Sequence, residues 1–295
     1  ISRTSISWGI PLPWDERHVA YVWFDALINY CTAVGYPDDR ERFDRYWPAD
    51  YHLIAKDILR QHAVYWPIML HALGIEPPKT VFAHGWWLSG ETKMSKSRGN
   101  VVAPQEVAAR YGVDAYRYFL LRDVPFGLDG NFSEESIVKR YNSDLANDLG
   151  NLVYRTLTMT EKYFGGIVPA VDISGAAFDE SGERIKGAVK LLHDGLASVM
   201  AADNDYNFGA ALEKIWELVA RANKYVEVTK PWNLEKEKRT EDLKRFIRLM
   251  AEVIRAVSRE ASPFIPGTCA AIDEQAGTDT IRKGKPLFPR IETKK

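Results

Sequence analysis

Residues 51–84 read Y-H-L-I-A-K-D-I-L-R-Q-H-A-V-Y-W-P-I-M-L-H-A-L-G-I-E-P-P-K-T-V-F-A-H and carry the clearest fold signal in the chain. Its two ends, Tyr51–Ala55 and Thr80–His84, are short apolar runs of the kind that form buried strands. Between them, residues 57–73 have apolar side chains at helical spacing. A strand, a helix and a second strand with short joints make a βαβ unit, so the sequence predicts part of a parallel sheet.

Two more strands are predicted, one on each side of this unit. Residues 19–24, V-A-Y-V-W-F, form an apolar run that predicts a short buried strand. Residues 86–88, W-W-L, are followed by Ser89-Gly90-Glu91, which predicts a strand that runs into a turn.

The sequence becomes helical from Ser133 onward. Ser133 precedes two glutamates, which is typical of a helix N-cap followed by an acidic first turn. Four long helical patterns follow one another over residues 133–164, 178–202, 208–229 and 241–262. Long helices with short polar joints predict an antiparallel bundle. An apolar patch in residues 285–291 predicts a tail that packs back on the body.

The composition is that of an ordinary globular protein of about two domains. Of 295 residues, 46% are hydrophobic and 27% charged, which excludes a disordered or collagen-like chain. A net charge of −1 argues against a protein that coats nucleic acid through overall charge, although a local basic face stays possible.

The two cysteines, Cys31 and Cys269, cannot build a disulfide framework or a Cys-x-x-Cys zinc site, so we expect a reducing compartment, the cytoplasm. No apolar run is long enough to cross a membrane. Because the chain opens on Ile1 without an initiator methionine, we expect a segment upstream.

Residues 93–100, K-M-S-K-S-R-G-N, carry the strongest chemical signal. Three cations and two hydroxyls on a glycine-flanked loop suit a polyanion such as a triphosphate, because lysines place point charges on phosphate oxygens and serines add donors. A solvated basic loop is the alternative, and composition alone favours it.

The string K-M-S-K-S resembles the signature loop of class I aminoacyl-tRNA synthetases. The resemblance implies that the loop binds ATP, with Mg²⁺ on the phosphates, and stabilises the departing pyrophosphate while an aminoacyl-adenylate forms. Lys96 would act most directly on the transition state and Lys93 would assist. The implied ATP-binding residues are Lys93, Met94, Ser95, Lys96, Ser97 and, by close backbone approach, Gly85.

Two other segments resemble methionyl-tRNA synthetases: residues 21–30, Y-V-W-F-D-A-L-I-N-Y, and residues 47–67, which include K-D-I-L-R-Q-H. The resemblance implies a methionine pocket lined by Trp23, Ala26, Leu27, Tyr30, Ile58 and His62, although some members of the family carry proline at the position of Leu27. A thioether suits apolar, polarizable surroundings with aromatic contacts. The alternative is that the aromatic residues and the histidine are ordinary core residues.

An RNA-binding constellation is expected in the bundle. Asn147, Asn151 and Arg155 are spaced four residues apart and would share a helix face, and Trp232 follows a proline at a helix break. In the methionyl family an Asn and Arg pair and such a Trp meet the CAU anticodon, so the resemblance assigns these four residues to it. Trp would stack on unpaired bases while Asn and Arg read base edges. Alternatively, Trp232 staples the helix junction and the polar residues form a solvated stripe.

Two parts of the family pattern are absent from this sequence. The six histidines do not form the H-x-G-H element, and the inserted domain that often binds zinc is missing, so we assign no metal ligand and expect zinc, if any, in the N-terminal part. The chain resembles the second half of a methionyl-tRNA synthetase that is inactive without its N-terminal half. The alternatives are a non-catalytic tRNA-binding module and another class I synthetase.

The resemblance implies a fold class of α/β plus all-α, with the C-terminal part of a Rossmann-like parallel sheet followed by an antiparallel anticodon-binding bundle. The implied function is ATP-dependent activation of methionine and its transfer to tRNA(Met). The expected segments are the second half of the catalytic domain, the K-M-S-K-S loop with a linking region, the helical bundle and the tail, over residues 1–92, 93–132, 133–267 and 268–295.

Overall fold

The computed structural model describes residues 2–90, 92–93, 102–174, 178–201 and 206–292. The chain divides into two compact units, Ile1–Trp86 and Trp87–Lys295. The segment boundaries expected at residues 92, 132 and 267 stay a prediction.

The first unit contains the predicted parallel strand pair. Strands β4 (Tyr51–Ala55) and β5 (Thr80–His84) run parallel, with Tyr51 opposite Thr80 and Ala55 opposite His84. The crossover between them is helical as predicted, but it changes type along its length. It starts as a 3-10 turn (Lys56–Ile58), continues as a π-helix (Gln61–Tyr65) and ends as α4 (Trp66–Ala72).

The strand predicted over residues 19–24 is wrong. Strand β3 (Asp15–Ala20) ends at residue 20 and lies between β1 (Ser2–Arg3) and β2 (Pro11–Leu12) in an antiparallel sheet. Residues 23–26 form helix α1 (Trp23–Ala26) instead. Helices α2 (Asn29–Thr32) and α3 (Arg40–Tyr46) follow.

Burial beyond residue 24 shows the helix. Val22 and Phe24 are exposed, whereas Trp23 and Ala26 are partly buried and Leu27 is buried. Trp23, Ala26 and Leu27 are three or four residues apart and lie on one side of a helix, although the exposure of residues 19–24 alone alternates as in a strand. Leu27 packs in a core of buried hydrophobic side chains, namely Cys31, Phe43, Trp47, Trp66 and Leu70.

The second unit begins with a small mixed sheet. Strand β6 (Trp87–Ser89) pairs antiparallel with β7 (Thr92–Lys93) and parallel with β8 (Gly130–Phe132). A Cβ on Gly130 would lie 2.6 Å from Val124 and 3.0 Å from Trp87, so the close packing of these side chains on β8 requires glycine. Between β7 and β8 lie two helices that the sequence patterns did not predict, α5 (Pro104–Tyr111) and α6 (Val113–Arg122).

The rest of the second unit is helical. Ser133 is an N-cap as predicted, since its hydroxyl accepts a hydrogen bond from the Ser136 amide. The helix that follows is α7 (Glu134–Arg140), a π-helical segment (Tyr141–Gly150) and α8 (Asn151–Phe164), and it ends at Gly165 with φ of 60°. The later helices are α9 (Glu180–Ala201), α10 (Phe208–Thr229), α11 (Pro231–Lys236), α12 (Thr240–Ala261) and α13 (Pro266–Ala276).

A large core holds these helices together, with buried residues from α6, α8, α10, α12 and α13. In α12 the buried side chains recur at helical spacing, as at Leu243, Phe246, Ile247 and Met250. Leu287, Phe288 and Ile291 of the C-terminal residues pack against this core. The Asn142 side chain donates to the Ile291 carbonyl and accepts from the Ile291 amide, both at 2.9 Å. None of the described helices is long and apolar enough to cross a membrane.

Candidate functional site

An aromatic cluster in the first unit brings together residues from four elements. Trp23 comes from α1, Tyr30 from α2, His52 from β4 and His62 from the π-helix. The ring of Tyr30 lies 4.3 Å from that of His52 and 5.6 Å from that of His62, and Trp23 meets His62 edge-on at 5.9 Å. The structure therefore unites three residues of the expected methionine pocket, Trp23, Tyr30 and His62.

The hydrogen bonds of His62 fix the tautomer of its neutral ring. Nδ1 lies 2.9 Å from the carbonyl oxygen of Ile58, and a carbonyl only accepts, so Nδ1 carries the proton. Nε2 is then an acceptor, and it lies 2.8 Å from the hydroxyl of Tyr30, which donates to it. Burial raises the pKa of Tyr30, so the hydroxyl keeps its proton. The result is a hydrogen-bonded polar pair inside an aromatic enclosure.

The other expected pocket residues lie around this pair. Ile58 contributes its carbonyl to His62 and is partly buried, as is Ala26. Leu27 is 1% exposed and packs with the core that contains Trp66. The assignment of these residues to methionine binding stays a prediction.

The sequence patterns assigned no role to His52, a member of the cluster, or to Trp66, which packs beside it on α4. The indole N–H of Trp66 donates to Nε2 of His52 at 3.1 Å. One signal was available, because His62 and Trp66 are four residues apart on the crossover. The structure adds what the sequence does not show, because in strand β4 His52 and Ile54 are buried while Tyr51 and Leu53 are exposed.

The carboxyl edge of the parallel strand pair carries Gly85, the residue expected to approach ATP through its backbone. Ala55 and His84 are paired and end their strands together, so Lys56 and Gly85 both follow at this edge. Gly85 is buried, and the Lys56 ammonium lies 4.3 Å from the ring centre of Trp86. In open α/β sheets ligands bind outside the carboxyl ends of the strands.

The K-M-S-K-S loop is described only at its first residue. The backbone of Lys93 is in strand β7, opposite Leu88. Met94, Ser95, Lys96 and Ser97, together with the Lys93 side chain, lie outside the described residues.

The residues expected at the anticodon lie on the second unit. Asn151 and Arg155 are one turn apart on α8, and Asn147 precedes them on the π-helical segment rather than on an α-helix. Asn147 and Asn151 are exposed. Arg155 lies 3.9 Å from Glu227 in the last turn of α10, and Trp232, 39% exposed, follows in α11 after the left-handed Lys230. Arg155 therefore reaches the helix end that precedes Trp232.

Within the described part of the chain, no group of three or more His, Cys, Asp or Glu side chains could hold a metal ion.

Solved methionyl-tRNA synthetases match the fold of this chain. The Mycobacterium tuberculosis enzyme in complex with methionyl-adenylate matches with a TM-score of 0.84 and 40% identity, over 98% of this chain and 60% of that one. Its apo form matches with a TM-score of 0.82 and 37% identity, over 100% of this chain and 60% of that one. The fold is thus that of a class I synthetase, helix-rich with small parallel sheets.

Residues 1–157 match the family described as "tRNA synthetases class I (M)", and the chain belongs to this family. The methionine–tRNA ligase of Halalkalibacterium halodurans is 46% identical over 99% of this chain and 46% of the relative. That of Caldanaerobacter subterraneus is 45% identical over 100% of this chain and 48% of the relative. The chain spans about half the length of these curated relatives. The resemblance to methionyl-tRNA synthetases is confirmed.

Proposed function

We propose that this chain is the part of a methionine–tRNA ligase that carries the methionine pocket, the ATP-binding loop and the anticodon-binding helices. Methionine and ATP would give methionyl-adenylate and pyrophosphate, and the methionyl group would then pass to the terminal adenosine of tRNA(Met). The observation that carries this proposal is the Tyr30–His62 hydrogen bond inside the aromatic cluster, in a chain of the class I (M) family.

The cluster suits an uncharged thioether. Tyr30 and His62 satisfy each other through one hydrogen bond, so their polar atoms already have partners beside the substrate side chain. Trp23 and Tyr30 offer aromatic surface, against which a sulfur atom packs with a stabilisation of about 0.3–1.5 kcal/mol. A pocket of this kind rejects polar amino acids, because they would lose their hydration without gaining partners.

ATP activation would depend on Lys93 and Lys96. The lysines would neutralise charge that builds on the phosphates as pyrophosphate leaves, and Mg²⁺ would accompany the ATP phosphates. Met94, Ser95, Ser97 and the backbone of Gly85 would complete the nucleotide site, and no metal ligand is assigned to this chain.

The second unit would bind tRNA(Met) as an anticodon-binding bundle. Trp232 would stack on an unpaired anticodon base, while Asn151 and Arg155, with Asn147 beside them, would read base edges. The position of Arg155 supports this, since it lies 3.9 Å from Glu227 at the helix end that precedes Trp232.

The first unit would need the N-terminal half of the enzyme to complete a Rossmann-like sheet. Among its described strands, β4 and β5 pair only with each other, and a two-stranded parallel sheet is marginal in water. Tyr51 and Leu53 expose apolar surface on one face of β4. A further layer of the same enzyme would cover that face and supply the remaining strands.

We propose the cytoplasm as the compartment. Cys31 and Cys269 are buried free thiols, and burial raises the pKa of Cys31 to about 11 and of Cys269 to about 12. Thiols of this kind persist in a reducing environment.

The test uses a reconstituted protein, defined as this chain joined behind the N-terminal half of the Halalkalibacterium halodurans relative. It should catalyse ATP–pyrophosphate exchange that depends on methionine and not on leucine or valine. Lys96→Gln should reduce the rate by at least about 100-fold, because it removes charge stabilisation at the transition state. Lys190→Gln, an exposed lysine on α9, is the matched control and should leave the rate unchanged.

Exchange that depends on leucine or valine would identify another class I synthetase. A folded protein without exchange that still binds anticodon stem-loop RNA would identify a tRNA-binding module. Either result would overturn the proposal.

A further inference from the structure

His52 is a buried histidine on strand β4 to which the proposed mechanism assigns no role. His52 is 5% exposed, and its hydrogen-bond partner Trp66 is completely buried. An indole nitrogen can only donate, so the 3.1 Å contact requires Nε2 of His52 to be an unprotonated acceptor. Without it, the Trp66 N–H would be a buried donor with no partner there, which is unfavourable.

His52 also supports Tyr30 from the side. The two rings lie 4.3 Å apart with an angle of 35° between their planes, which is a tilted stack. Tyr30 in turn lies 6.0 Å from the ring of Trp66, so His52, Tyr30 and Trp66 form a closed triangle of contacts. Any rotation of the His52 ring would therefore release both aromatic neighbours.

We propose that His52 is a positioning residue for amino-acid specificity: its neutral Nε2 holds Trp66 and its ring face holds Tyr30, so that together they set the shape of the methionine pocket. This inference rests on the proposed function, because it names what shapes the pocket of that site.

The environment favours the neutral ring. Burial lowers the pKa of His52, and the nearby His62 lowers it further. A protonated ring would turn an N–H toward the Trp66 N–H and lose the hydrogen bond. His52 and His62 thus differ in function: His62 accepts from Tyr30, and His52 accepts from Trp66.

A space-filling role for His52 is the competing explanation, and variants that remove the ring or the acceptor separately distinguish the two. His52→Phe keeps an aromatic ring against Tyr30 but has no acceptor. His52→Gln keeps an acceptor near the position of Nε2 but has no ring. Trp66→Phe removes the donor and keeps an aromatic ring.

The experiment measures KM and kcat for methionine and for leucine in the exchange reaction of the reconstituted protein. His52→Phe should raise the methionine KM by about 10-fold, the size expected for a buried donor left unpaired, and leave kcat within about 2-fold. It should lower the preference for methionine over leucine by a similar factor. His52→Gln should raise the methionine KM less than His52→Phe does, because it keeps the acceptor and loses only the ring contact with Tyr30.

The decisive comparison is made in the Trp66→Phe background. There His52→Phe should raise the methionine KM by less than about 2-fold, because no indole donor is left to satisfy. Equal effects of His52→Phe in both backgrounds, or equal effects of the Phe and Gln variants, would show that His52 only fills space and would overturn the inference.

Failure of the proposed function gives a different result, because the parent protein would then show no methionine-dependent exchange. The specificity role would fall with it. The hydrogen bond itself is read independently by NMR, from the exchange rate of the Trp66 indole proton, which His52→Phe should raise and His52→Gln should not.

Discussion

The hydroxyl of Tyr30 offers the most direct way to perturb the pocket without changing its volume. Tyr30→Phe removes one oxygen and keeps the ring against His52. His62 is 1% exposed and its Nδ1 proton already binds the Ile58 carbonyl, so its Nε2 becomes a buried acceptor without its donor.

The size of the effect follows from this geometry. An unsatisfied buried acceptor is unfavourable by about 1–3 kcal/mol, so we expect Tyr30→Phe to lower the free energy of unfolding by about that amount. Because His62 and Tyr30 are then free to shift, the methionine KM should rise by about 10-fold while the ATP KM stays within about 2-fold. The first effect is measured by chemical denaturation and the second by pyrophosphate exchange in the reconstituted protein.

Tyr46→Phe is the matched control, since Tyr46 lies in the same unit and is 54% exposed. It should change neither stability nor the methionine KM. If Tyr30→Phe behaved like this control in both assays, the Tyr30–His62 hydrogen bond would have no part in methionine binding.

Three further predictions follow from other parts of the structure. Burial and the nearby His62 lower the pKa of His52, so as the pH falls the unfolded chain, with its ordinary pKa of about 6.5, takes up a proton before the folded chain does. The free energy of unfolding should therefore fall below pH 6.5, by at most about 1.4 kcal/mol per pH unit. A pH series of denaturation curves should show a smaller fall for His52→Gln, and an equal fall would contradict the assignment. Trp232→Ala should weaken anticodon stem-loop binding by about 5- to 150-fold in a fluorescence titration, while Trp8→Ala, which removes another exposed tryptophan, should not; equal losses would exclude a specific stacking role. Ser133→Ala should lower the free energy of unfolding by about 1 kcal/mol and Ser133→Gly by only a few tenths, and no difference from the parent in either denaturation curve would show that the cap is unimportant.

The long helical pattern was predicted best. Helix Phe208–Thr229 has the predicted bounds because helical spacing is sustained over its whole length. The short strand Thr80–His84 also has its predicted bounds, because turn and loop residues flank it on both sides. The strand predicted over residues 19–24 was wrong because a short apolar run fits a buried strand and a helix equally well. Only the burial of Leu27 beside Trp66 decides for the helix.

Other features depend on contacts that no local pattern contains. The π-helical segment Tyr141–Gly150 has its carbonyls met by side chains of α10, where Trp216 donates to Asp144 and Asn223 to Asp148. Such a shift of helix type arises from tertiary partners rather than from propensity.

The candidate site also combines residues that the sequence identifies with contacts that only the fold creates. Trp23, Tyr30 and His62 could be selected because their segments resemble a known family. The bond between His52 and Trp66 joins residues 14 positions apart and forms only when the crossover folds back on its strand. The helices α5 and α6 carried usable signals, Pro104 at a first turn and Gly112 between them, which the sequence reasoning did not use.

We propose that this chain joins methionine recognition to anticodon recognition. Charging of tRNA with labelled methionine by the reconstituted protein tests both at once, when a transcript with the CAU anticodon is compared with the same transcript carrying another anticodon. We expect methionine to be attached to the CAU transcript and the rate to fall by at least about 100-fold when the anticodon is changed, because stacking and base-edge contacts are lost together. No charging by a folded protein, or equal charging of both transcripts, would contradict the account.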